Sequence, residues 1–79
     1  MHHAKRLLTE TLRGLDSLSL SEAIERAISV KLSDRNVLIE LKEERLIEIL
    51  RAEKERLMYG CRQCFGPILQ IQINNSPLI

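Results

Sequence analysis

Aromatic residues are almost absent: Tyr59 and Phe65 stand alone, and there is no tryptophan. Base-stacking platforms and aromatic ligand cages therefore lack their main residues. Cysteine is scarce too. Cys61 and Cys64 lie three apart, and one such pair cannot build the disulfide framework of a small secreted scaffold. No run approaches the roughly 18 apolar residues that a membrane span needs. After Met1-His2-His3-Ala4-Lys5-Arg6 only Leu7-Leu8 precede Thr9-Glu10. That start holds no apolar signal core, so a cytoplasmic location is expected. Neither sign of charge dominates. A net charge of +1 and a pI near 7.8 exclude a strongly basic nucleic-acid coat and an acidic mimic of nucleic acid. Histidine occurs only at positions 2 and 3, which leaves no general base in the body of the chain. Glycine-rich phosphate loops, a Ser-His-Asp set and HExxH are all missing. Nucleophile, base and pocket cannot be assembled from these residues, so no enzyme is expected.

What is present has a globular balance: 44% hydrophobic and 29% charged residues in a chain of 79. A single domain of this size buries only about 60–65% of its unfolded surface. A partner copy, a metal or a bound protein is therefore a reasonable expectation. The 12 basic and 11 acidic side chains all fall within residues 1–62, and none follows Gln63. That composition boundary divides the chain into a helical domain, 1–62, and an uncharged C-terminal turn and strand, 63–79.

Leu8, Leu12 and Leu15 recur at helical spacing, which predicts a helix over Ala4–Leu15 that Gly14 and Asp16-Ser17 bring to an end. Ser19-Leu20-Ser21-Glu22 fits a capping box, with Ile24, Ala27 and Ile28 as the inward stripe of a second helix. Ile28-Ser29-Val30-Lys31-Leu32 reads either as that helix's last turn or as a strand, since it alternates strictly and carries two β-branched residues. Ser33-Asp34 then reads as an N-cap. From Arg35 to Met58 there is neither glycine nor proline, and Ile39, Leu46, Leu50 and Leu57 are spaced 7, 4 and 7 apart. One long helix is expected there, closed at Gly60. Cys61 to Pro67 reads as a compact turn. Leu69, Ile71 and Ile73 alternate with Gln70 and Gln72, which predicts a half-buried strand stopped by Asn74-Asn75-Ser76-Pro77. The expected fold is mainly α: two short helices, one long helix and a C-terminal β-strand, assembled as a dimer.

The Cys61-x-x-Cys64 pair is the one motif with chemistry of its own. Two thiolates at this spacing can grip one Zn²⁺, but a structural zinc takes four ligands. His2 and His3 complete the set only if the N-terminus reaches Cys61; a dimer sharing both pairs is the neater arrangement. Redox catalysis wants a cysteine at a helix N-terminus, whereas this pair follows a helix. Two ordinary thiols remain the third reading.

Basic residues are dispersed. Lys5, Arg6 and Arg13 can form a small patch on the first helix, while Lys42, Arg45, Arg51, Lys54 and Arg56 are interleaved with acids. Ile28-Ser29-Val30-Lys31-Leu32-Ser33-Asp34 resembles the strand and cap that open ribbon-helix-helix DNA-binding domains, as in many antitoxins. The resemblance spans these seven residues, and it implies that Ser29 and Lys31 face outward toward bases. That family also has a turn between two helices, for which Arg35–Met58 offers no breaker.

The function expected from these features is a non-enzymatic protein–protein interaction module, a dimeric regulator or adaptor. Leu46, Leu50 and Leu57 would form the helix seam with a second copy, and Leu69, Ile71 and Ile73 a second apolar element for a protein partner. The alternative is a small DNA-binding transcriptional regulator using Ser29, Lys31, Lys5, Arg6 and Arg13. Either is compatible with zinc at Cys61 and Cys64; no other cofactor and no membrane partner is expected.

Overall fold

The computed structural model describes residues 3–76. Among them are four helices and three strands, in the order α1 (His3–Gly14), α2 (Leu18–Glu25), β1 (Ser29–Ser33), β2 (Asn36–Leu41), α3 (Glu44–Ala52), α4 (Lys54–Phe65) and β3 (Gln70–Asn75). The strands form one mixed sheet in the order β1-β2-β3. The β1 and β2 strands are an antiparallel hairpin, while β2 and β3 run parallel. Parallel neighbours need a crossover, and α3 and α4 supply it. This is an α+β fold. The expectation of a mainly α chain with a single strand is therefore corrected.

The expected long helix over Arg35–Met58 is in fact a strand followed by two helices. Val37, Ile39 and Leu41 are fully buried, while Asn36, Leu38 and Glu40 between them are exposed or half-buried. That two-residue period defines a half-buried strand. Counting Ile39 into a helical stripe with Leu46 joined residues of two different elements. Glycine and proline are not needed for the breaks. Asp34 takes φ 57 in the hairpin turn, a left-handed conformation that Asp tolerates better than most residues. It is thus a turn residue and not an N-cap. Glu53, at φ −113 and ψ 39, separates α3 from α4.

Other local expectations shift by small amounts. Helix α2 starts at Leu18 with Ser17 as N-cap and no side-chain cap bond, so Ser19 and Glu22 lie inside the helix and make no capping box. Gly60 lies within α4, and Gly66, at φ 88, closes that helix. Cys61 and Cys64 are consequently helical, and the composition boundary at Gln63 falls inside α4. Gly60 is where α4 meets α1: a Cβ there would stand 2.5 Å from Leu12 Cδ2.

The core lies between the helices and one face of the sheet. Leu8 and Leu12 of α1, Leu20 and Ile24 of α2, and Leu50 and Leu57 of α3 and α4 have no exposed surface. Each fully buried aliphatic side chain contributes on the order of 1.5–3 kcal/mol. Leu46, Leu50 and Leu57, expected as a seam for a second copy, are buried within the single chain. Ile71 and Ile73 are likewise buried against the helices. Leu69 departs from the expected alternation: it precedes β3 and is 69% exposed, while its neighbour Ile68 is buried.

Candidate interaction edge

The direction of each backbone group in the sheet follows from its bonds. The N–H groups of Leu69 and Gln70 reach the Arg35 carbonyl at 2.7 and 3.4 Å, and Ser76 N–H reaches the Leu41 carbonyl at 2.8 Å. Odd-numbered residues of β2 therefore bond toward β3, and the even-numbered ones bond toward β1, because N–H and C=O alternate sides along a strand. With Ser33 opposite Asn36, Lys31 opposite Leu38 and Ser29 opposite Glu40, Ser29, Lys31 and Ser33 bond to β2. Val30 and Leu32 then point their N–H and C=O groups away from the sheet.

A groove of about 770 Å³ runs along this edge, lined by Ala4 and Lys5 of α1 and by residues 28–33. Lys5 Nζ donates to the Ala27 carbonyl at 2.8 Å and pins α1 to the start of the strand. The apolar side chains here are incompletely covered: Ile28 is 44% and Leu32 43% exposed. On the outer face Lys31 is exposed, and Ser29 Oγ donates to Glu40 Oε1 at 3.0 Å. Among the described residues neither Lys31 nor Glu40 has an ion-pair partner.

The opposite edge is held differently. Ile71 and Ile73 present their backbone groups outward on β3, but Arg51 Nη2 donates to the Ile73 carbonyl at 3.3 Å. Arg62 donates through Nε and Nη2 to the Ile68 carbonyl at 3.2 and 3.1 Å. The uncharged tail is thus gripped by arginines of α3 and α4. An apolar edge usually carries its own guarding charges; here they come from the helices.

Of the basic residues singled out in the sequence, Lys5, Arg6 and Arg13 line one surface pocket, but Glu10 and Glu25 line it with them, so it is not a basic patch. Lys5 is engaged with Ala27, Arg6 pairs with Glu10 at 3.5 Å, and Arg13 pairs with Glu25 at 3.7 Å. Ser29 and Lys31 do lie on the outer face of a strand, but a second strand follows it where the ribbon-helix-helix pattern has a helix.

Cys61 is fully buried and Cys64 partly buried, both as free thiols. Burial first, and Cys64 second, pushes the Cys61 thiol from 9.0 up to about 12. Burial also raises Cys64, with a hydrogen bond from Thr11 acting in the opposite direction. Among the described residues no group of three or more His, Cys, Asp or Glu could hold a metal ion; His2 lies outside them. A zinc shared across a dimer would require Cys61 to leave its packing and lose its proton.

The sequence reading missed Ala4, Ile28 and Leu32 as groove residues, Glu40 as their charged neighbour, and Arg51 and Arg62 as anchors of β3. The strict alternation of residues 28–32 was the available signal for the first group. No short-range pattern marks the arginines, which act 22 and 6 residues away. No helix of the described residues is long and apolar enough to cross a membrane. No protein-family model, curated protein or solved structure matches this chain.

Proposed function

We propose that this protein is a non-enzymatic protein-interaction module that works by strand addition at the edge of β1. The observation that carries this is the outward direction of the Val30 and Leu32 backbone groups beside a groove with half-exposed Ile28 and Leu32. An added strand satisfies those backbone groups and covers both side chains, the division of labour typical of strand addition: main-chain bonds give affinity and side-chain pockets give selectivity. Each new backbone hydrogen bond contributes about 0.5–1.5 kcal/mol net. A short ladder plus two apolar side chains therefore suits a reversible regulator or adaptor.

The test is a photoreactive amino acid in place of Leu32, in the full chain and in its native cell. A crosslink to a protein chain is expected, and Val30→Pro should abolish it. Proline at 30 removes a donor that points outward, a position where edge strands accept it. Crosslinks that are absent, or indifferent to Val30→Pro, would contradict the reading.

A further inference from the structure

Resting on that reading, we propose that the strand received by β1 is β1 of a second copy, antiparallel, with the two-fold axis at Val30. Only Val30 and Leu32 turn their backbone groups outward within β1, so few registers are open to an identical antiparallel strand. An axis at Lys31 would set the two Lys31 ammonium groups directly opposite each other, an unfavourable like-charge cross-strand pair. An axis at Leu32 would place Val30 opposite Asp34 in the turn and leave Ile28 uncovered. An axis at Val30 has neither fault. The two Val30 residues exchange N–H···O=C bonds. Leu32 falls opposite Ile28 of the second copy, and Ile28 opposite its Leu32. These are the two side chains of the edge left half exposed in the single chain, at 43% and 44%, and each covers the other.

Charge supports the same register. On the outer face Lys31 comes beside Ser29 of the second copy, whose hydroxyl is bonded to Glu40. Serine is short enough to let the lysine pass over it toward that carboxylate. Lys31 and Glu40, which have no ion-pair partner among the described residues, therefore meet twice, once on each side of the axis. The result is a continuous sheet of twice three strands with the helices of both copies on one side. The β3 edge is a poorer self-pairing surface, because Arg51 already occupies the outward Ile73 carbonyl.

The experiment is sedimentation of the full chain from about 1 to 100 µM, where modest dimers dissociate. The wild type should approach twice its 9.1 kDa chain mass. Lys31→Glu and Glu40→Lys should each weaken association at least about tenfold by opposing like charges. The double variant Lys31→Glu/Glu40→Lys should restore it, since the pair is merely reversed. Both substitutions sit on the outer sheet face, away from the core, so folding is retained and can be checked by thermal unfolding. A wild type at 9.1 kDa throughout, or a double variant no better than the single ones, would overturn the proposal. If the wild type is monomeric yet Leu32 crosslinks to another protein and Val30→Pro abolishes it, self-pairing fails while strand addition stands. If no crosslink forms either, both fail.

Discussion

Cys61 has no exposed surface, and that placement sets its chemistry. A thiol pushed from 9.0 up to about 12 stays protonated at neutral pH, which works against attack on a disulfide. The raised value also has a stability consequence. The folded state holds the proton more tightly than the unfolded state. This contribution is therefore complete below pH 9 and is lost as the pH climbs from 9 toward 12. Above pH 9 the melting temperature of the wild type should fall more steeply than that of Cys61→Ala. Parallel curves would show that the thiol does not titrate in this way. Cys61→Ser, which puts a hydroxyl into an apolar site, should cost roughly 1–3 kcal/mol. One residue earlier, Gly60 faces two opposed effects. Alanine would gain about 1 kcal/mol of helix propensity, but its Cβ would meet Leu12 Cδ2 at 2.5 Å. Leu12 is itself fully buried, and forced repacking costs typically about 1–3 kcal/mol. Gly60→Ala should therefore lower the melting temperature; a rise would mean that Leu12 rotates freely.

Strand β3 shows how an element without charges is placed by charges elsewhere. Arg62 bonds the Ile68 carbonyl through two nitrogens, and Ile68 is only 2% exposed. Removing the guanidinium would leave that carbonyl without its donors. Arg62→Ala should cost about 1–3 kcal/mol, the range for leaving a buried acceptor unsatisfied, read from urea unfolding. Along the same element Ile71 is 2% exposed and Gln72 points outward. Ile71→Lys, an unpaired charge in the core, should cost about 3–5 kcal/mol, while Gln72→Lys should stay within about 0.5 kcal/mol. Equal losses would mean that the strand is covered on both faces. The inward positions of Ile71 and Ile73 were legible because a two-residue period is local. Leu69 was misread because β3 begins only at Gln70, and Ile68, one residue before Leu69, takes the buried place. The segment 35–58 was misread for a different reason. Its helical spacing ran across the β2–α3 junction, and neither Lys42-Glu43 at that junction nor Glu53 is a residue that advertises a break. For β1 both readings were open, and only pairing with β2 decides between them.

At the scale of the whole molecule, one chain buries the leucines that the sequence offered as a seam, and the partner surface proposed here lies at the margin of the sheet. That margin was not readable from composition, because an edge is a property of strand order. Residues 28–32 look the same in sequence whether they end a sheet or lie in its middle. The basic residues illustrate the same limit: Lys5, Arg6 and Arg13 are close in the chain, yet each is taken up locally. The central claim, that β1 receives β1 of a second copy, is tested most directly by amide hydrogen exchange along β1 as protein concentration rises. Lys31, bonded to β2, serves as the internal control and should be protected throughout. Val30 and Leu32 should exchange fast in dilute solution and become protected as copies pair. Val30 and Leu32 amides that exchange like loop amides at every concentration, with Lys31 protected, would contradict pairing at this edge.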